Sequence, residues 1–181
     1  MKTNPFSKQT LSRLARTTIL VACLAPAACK GRSAGNTTAT VNALVTREPR
    51  ETKFDNGQVK ETFSVTKDKS GNYVKDGSYA RFHQSGQKAE EGTYKADKID
   101  GHWQEWDEQG KLTLDLHFAD GKREGAYAKY RNGSPRIVGN YSQDKLSGPF
   151  KFIDDGSVIT GEMARGVPEG PWTLTDASGK L

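Results

Sequence analysis

The chain has 181 residues, with 27 Lys and Arg against 22 Asp and Glu, three His, two Cys and a hydrophobic share of 34%. So low an apolar content suits a thin sheet with wet faces rather than a thick core, and two cysteines exclude a disulfide framework. The basic excess belongs to the N-terminus: without Lys2, Lys8, Arg13 and Arg16 the balance is 23 to 22, or +1, which excludes the electrostatic footprint of a nucleic-acid binder.

Those four cations, with no acid among them, lead into a mostly apolar run of twelve residues from Thr17 to Ala28. The run is too short to span a bilayer and reads as a secretory signal. Leu20-Val21-Ala22-Cys23 resembles a bacterial lipobox, in which a small residue precedes a lipid-modified cysteine, but it leaves a very short apolar core. Pro26-Ala27-Ala28-Cys29 is a poorer lipobox behind a core of better size, so Cys29 is the expected lipidation site and Cys23 the alternative. An ordinary signal with an incidental cysteine is the competing reading. Against it, no cysteine follows Cys29, which leaves lipidation as the use for a lone N-terminal thiol in an exported chain. Residues 1–28 are thus read as a lipoprotein signal peptide. Residues 29–46, rich in Gly, Ser, Thr and Ala without a hydrophobic period, read as a lipid-anchored flexible linker. Lys30, where an aspartate could stand, resembles Gram-negative lipoproteins sorted to the outer membrane. An envelope protein facing the periplasm or the cell surface is expected.

From Arg47 onward the chain repeats itself. A degenerate first unit turns at Phe54-Asp55-Asn56-Gly57 and continues through Val59, Phe63 and Val65. Five units then open at Gly77, Gly101, Gly125, Gly148 and Gly170, with an aromatic two residues on at Tyr79, Trp103, Tyr127, Phe150 and Trp172. A second large residue follows at Phe82, Trp106 and Tyr130, replaced by Ile153 and Thr175 in the last two units, and a turn glycine closes each first strand at Gly86, Gly110, Gly133, Gly156 and Gly179. Asn132-Gly133 and Asp155-Gly156 suit two-residue type I′ hairpins, because Asn, Asp and Gly accept positive φ. A fixed period of this kind marks supersecondary units that must stack to bury their apolar faces.

The second strand of a unit shows its faces at Leu112, Leu114, Leu116 and Phe118, which alternate with Lys111, Thr113, Asp115 and His117. Period two is the mark of a half-buried antiparallel strand. In three other units a glycine, Gly92, Gly139 or Gly161, stands two residues before Tyr94, Tyr141 or Met163. These are read as gaps over which a neighbouring ring lies, an aromatic rescue of a strand glycine. Leu116 fills the corresponding gap in its own unit. Polar connections at Lys95–Asp100, Ala119–Glu124, Ser142–Ser147 and Ala164–Glu169 are short enough to keep all strands antiparallel. The fold class is all-β: one elongated sheet of about ten to twelve strands, built from five to six hairpin units over residues 47–181.

Stretches such as Asp100-Gly101-His102-Trp103-Gln104-Glu105-Trp106 with Gln109-Gly110-Lys111-Leu112, and Asp120-Gly121-Lys122-Arg123-Glu124-Gly125-Ala126-Tyr127, resemble MORN-type repeats, nearest the bacterial variant labelled antitoxin-like. The resemblance implies a hairpin-repeat sheet and a non-enzymatic binding or scaffolding role.

The residues themselves carry little chemistry. His83, His102 and His117 are the only histidines, without a cysteine cluster or a His-x-x-x-His spacing, and they read as surface residues, so no metal site and no cofactor are expected. The neighbouring acids Glu90-Glu91 and Asp154-Asp155 point to opposite faces of an extended strand and make no acid/base pair. The rings at plus two and plus five differ by three positions and so face opposite ways in a regular strand. Hence Phe82, Trp106 and Tyr130 form a candidate binding stripe opposite the packed rings, for a protein partner. Antitoxin-like neutralisation of a toxin and envelope glycan binding are the alternatives.

Overall fold

The computed structural model describes residues 45–176 and 178–180; the signal-like segment, Cys23, Cys29 and Lys30 lie outside them. The strands are β1 (Glu48–Lys53), β2 (Val59–Lys67), β3 (Tyr73–Phe82), β4 (Lys88–Lys95), β5 (Lys98–Ile99), β6 (Gly101–Trp106) and β7 (Leu112–Ala119). They continue as β8 (Lys122–Arg131), β9 (Ser134–Ser142), β10 (Lys145–Leu146), β11 (Gly148–Asp154), β12 (Ser157–Ala164) and β13 (Val167–Thr175). Among the described residues there is no helix. All strands form one open antiparallel sheet in the order β1-β2-β3-β4-β6-β7-β8-β9-β11-β12-β13, with β5 on β4 and β10 on β9 as short lead-ins to β6 and β11. The sheet therefore has eleven positions along its path.

Two turn chemistries close its hairpin units. Asn132-Gly133 and Asp155-Gly156 are the two-residue turns their sequence implies, with φ of +52° and +78°, and of +44° and +86°. The other unit turns are longer and place only glycine in the left-handed region. At Asp107–Gly110 the amide of Gly110 donates to the Asp107 carbonyl, and that of Asp107 to the Lys111 carbonyl. The Asp107 carboxylate then accepts from the amides of Gln109 and Lys111, as Asp68 and Asp176 do in their turns.

The connections between units are tighter than six polar residues suggest. Lys95 pairs with Lys98, Ala119 with Lys122, Ser142 with Lys145 and Ala164 with Val167, leaving two residues in each turn. Both residues are left-handed in each case, as at Ala96 (+48°) and Asp97 (+63°) or Gln143 (+47°) and Asp144 (+68°). The turns also stack on one another: the amides of Asp97, Gly121, Asp144 and Gly166 donate to the carbonyls of Lys75, Ile99, Arg123 and Leu146, one repeat earlier.

Each opening glycine absorbs a register slip. Leu116 pairs with Tyr127 but Phe118 pairs with Arg123, so four residues of β8 match two of β7 around Gly125, whose φ is +91°. A left-handed bulge residue of this kind is far easier for glycine than for any residue with a Cβ. The two sheet edges are blunted. β1 reads Glu-Pro-Arg-Glu-Thr-Lys, and β13 carries Pro168 and Pro171, so charge and missing donors oppose pairing with a further strand.

Candidate functional site

The two faces of the sheet differ in kind. Cross-strand partners share a face, so Tyr79 opposite Gly92, Trp103 opposite Leu116, Tyr127 opposite Gly139 and Phe150 opposite Gly161 define a ring face. Tyr79 and Trp103 stack with centroids 5.4 Å apart, Tyr94 meets both edge-on, and Phe118 meets Trp103 at 6.4 Å. Tyr127 meets Tyr141 at 5.1 Å and Phe150 meets Trp172 at 5.9 Å. The aromatic of each unit lies over the glycine of the preceding one: a Cβ on Gly92 would meet Trp103 at 2.3 Å, on Gly139 Phe150 at 3.2 Å and on Gly161 Trp172 at 2.3 Å. Aromatic rescue of strand glycines therefore holds at all three. Tyr79, Trp103 and Leu116 are buried, together with Val65 and Ala89.

Long side chains close this face over the rings. The Lys75 ammonium sits 4.8 to 5.1 Å from the ring centres of Phe63, Tyr79 and Tyr94, and the Arg123 guanidinium lies 4.2 Å over Tyr141 while bonding its hydroxyl. Both stand two residues before an opening glycine, where Ile99 and Leu146 occupy the equivalent places. Arg81 and Glu90 form an ion pair on the same face. Burial, then the Glu61 carboxylate bonded to its hydroxyl at 3.1 Å, push the Tyr79 phenol well above the usual range. Burial likewise raises Tyr94 and Tyr127. Thus the plus-two rings Tyr79, Trp103, Tyr127, Phe150 and Trp172 pack between units, two residues after the bulge glycines Gly77, Gly101, Gly125, Gly148 and Gly170; Tyr79 and Trp103 are buried, and Tyr127, Phe150 and Trp172 are half-buried.

The opposite face carries Phe82, Trp106 and Tyr130, all half-buried. They recur every second strand, about 10 Å apart. The register puts Lys88 beside Phe82, Leu112 beside Trp106 and Pro135 beside Tyr130, so rings alternate with other side chains and do not touch as one stack. Lys88 bridges the first two, its ammonium 5.6 Å over the Trp106 ring. The bulge that separates plus-two from plus-five contacts falls in the second strand, between the partners of Glu105 and Trp106, and it turns Leu112 to the Trp106 side rather than to that of Leu114. Toward the C-terminal end this face dips into an open depression of about 650 Å³, lined by Pro135, Val138, Pro149, Lys151, Ile153 and Thr160.

The acids sort as follows. Glu90 pairs with Arg81 and Glu91 with Lys88, on opposite faces. Asp154 and Asp155 converge on Arg136 instead, because Asp155 lies in the turn and not in an extended strand. Sequence reasoning missed the acid before three of the opening glycines: Asp76, Asp100 and Glu124 accept from the amides of Ala96, Asp120 and Gln143, the first residues of the next connection turns. Its signal was present as the repeated Asp-Gly and Glu-Gly pairs. Also on the open face, His102, His117 and Asp115 come together, with one ligand atom from each within 4.8 Å of the others.

With period, register and ring packing in view, the comparison with known families is direct. The family described as the MORN repeat variant matches residues 75–96 and 99–120, each match running from two residues before an opening glycine to the next connection. These two stretches are MORN-type repeats. No curated protein matches the chain. MORN repeats generally serve as protein- or membrane-binding modules and are generally non-catalytic.

Proposed function

We propose that this protein is a non-catalytic scaffolding module of the bacterial cell envelope, tethered through a lipid on Cys29 and binding a protein partner with the open sheet face. The observation that carries the reading is the asymmetry of the two faces. Tyr79 and Trp103 on the ring face are each 6% exposed and Lys75 lies over Tyr79, whereas Phe82, Trp106 and Tyr130 stay half-buried on the other face, where Pro135, the partner of Tyr130, begins an apolar depression in which Val138 keeps 40% of its surface. Aromatic side chains set among mixed charges are the composition of binding hot spots. The two matched repeats add that such units generally bind proteins or membranes.

Two experiments test it. Photo-crosslinkers placed at Phe82, Trp106 and Tyr130 should trap one recurring partner in envelope preparations, and crosslinkers at Glu61 and Lys129 should not trap it. Partner capture independent of face would remove the binding-face reading. For the tether, Cys29→Ala should abolish lipid labelling and release the protein from membranes, whereas Cys23→Ala should leave both unchanged. Labelling that survives Cys29→Ala moves the anchor to Cys23, and labelling in neither parent nor variant removes it.

A further inference from the structure

We propose that His102, His117 and Asp115 bind a divalent transition-metal ion, of which Zn²⁺ is the type, on the open face of the sheet. The strands build the site. His102 of β6 and His117 of β7 are direct cross-strand partners, and their imidazole rings stack with centroids 4.7 Å apart at 24°. Asp115 stands two residues before His117, hence on the same face, and its Oδ1 lies 2.7 Å from His102 Nε2.

The carboxylate is held in place from its far side, where Gln104 Nε2 donates to Oδ2 at 2.9 Å. Outer-shell bonds of this sort orient a ligating group and leave its other oxygen for the ion. Donors around a tetrahedral Zn²⁺ with bonds of about 2.0–2.2 Å lie roughly 3.3 Å apart, so the ion would replace the proton shared between His102 and Asp115, widen that 2.7 Å contact, and draw in the remaining donor from within 4.8 Å. Two imidazoles and one carboxylate suit Zn²⁺, Cu²⁺ or Ni²⁺, whereas Ca²⁺ and Mg²⁺ require mainly oxygen donors. A simple ion pair to Asp115 would need only one imidazole; the geometry supplies two.

Room for the ion follows from the neighbours. Ala128 of β8 is the cross-strand partner of Asp115, and Gly125 passes beside His117, where an added Cβ would lie 3.7 Å from the His117 Cβ. Small side chains on that flank leave the remaining coordination positions to water or to a donor from a bound partner. The third histidine is separate: His83 Nε2 lies 2.9 Å from the Trp106 carbonyl oxygen.

The test uses the full chain with Cys23→Ser and Cys29→Ser, which removes competing thiols, titrated with Zn²⁺ by calorimetry and with Co²⁺ by visible absorption. One ion per chain is expected, with ligand-field bands for Co²⁺ that Zn²⁺ displaces. His102→Ala, His117→Ala and Asp115→Asn should each weaken binding at least tenfold, and Gln104→Ala several-fold, while His83→Ala leaves it unchanged. These are exposed or half-exposed positions, and His117→Gln provides a second variant that keeps a polar side chain of similar reach should the alanine disturb the strand. Zn²⁺ uptake that is absent from the parent, or equally tight in the His102→Ala/His117→Ala double variant, overturns the site.

Discussion

Trp103 lies flat over Gly92, the glycine of the preceding unit, so closely that a Cβ at Gly92 would stand 2.3 Å from Trp103 Cε3. The missing side chain and the large ring are thus one packing element shared between two repeats. Gly92 has no left-handed φ, so Gly92→Ala meets a steric obstacle alone. It should destabilise by about 1–3 kcal/mol, the range for overpacking. Gly139→Ala faces Phe150 at 3.2 Å and should be milder. Urea melts read both, and equal effects at the two positions would show that Trp103 moves aside freely.

The connection turns give a prediction of opposite sign. Ala96 is exposed and left-handed at φ +48°, a conformation that costs an ordinary L-residue roughly 1–2 kcal/mol. Ala96→Gly relieves that strain at the expense of unfolded-chain entropy, about 0.5–1 kcal/mol. A net gain of about 0.5–1 kcal/mol is expected as a higher denaturant midpoint with unchanged slope. A lower midpoint would mean that the turn gains more from a restricted backbone than it loses to strain.

The repeat period, the ring positions and the rescued glycines were legible in the sequence because each depends on local spacing: Gly101, Trp103 and Gly110 recur at the same offsets as Gly77, Tyr79 and Gly86. The connection turns were only half legible. Asp120-Gly121 and Arg165-Gly166 carry glycine, but Ala96-Asp97 and Gln143-Asp144 are held left-handed by the stacked amide-to-carbonyl bonds from the neighbouring repeat, which no single unit encodes. The meeting of His102, His117 and Asp115 depends on register. Fifteen positions separate the two histidines, and only the turn at Asp107–Gly110 with the bulge near Thr113 sets them opposite one another.

Stability should fall at both ends of the pH scale, for different reasons. Tyr79, Tyr94 and Tyr127 have raised phenol pKa values in the folded sheet, chiefly from burial. Unfolded phenols ionise near pH 10, so above about that pH the unfolded chain binds fewer protons and stability declines as pH rises through the folded values. Tyr79→Phe should flatten this alkaline decline. At the acid end, Asp68, Asp120, Asp144 and Asp176 lie below the ordinary value of 3.8: backbone amides act most at Asp68 (from Asn72) and Asp144 (from Arg123), the Lys98 ammonium at Asp120 and the Ser178 hydroxyl at Asp176. Their contribution is present above that value and is lost as pH falls through the lowered ones. Thermal melts at stepped pH check both arms; a flat response from pH 9 to 12 in the parent would contradict the buried phenols.

The two tryptophans of one unit separate packing from recognition. Trp103 is 6% exposed, stacked on Tyr79 and edged by Tyr94 and Phe118, so Trp103→Ala should destabilise by about 3–5 kcal/mol, as large aromatic truncations in packed interiors do. Trp106, three residues on, lies half-exposed on the other face with Leu112 beside it and the Lys88 ammonium above it. Losing the ring there removes one cation–π contact and part of a half-buried surface, so Trp106→Ala should cost less than about 1.5 kcal/mol. If the open face binds the partner, Trp106→Ala should also weaken that complex by more than about 1 kcal/mol while the protein stays folded. Denaturant melts and binding measured on the same samples distinguish the outcomes. Equal destabilisation by both substitutions, with binding lost only in proportion to unfolding, would make the second stripe part of the packing and remove the binding face.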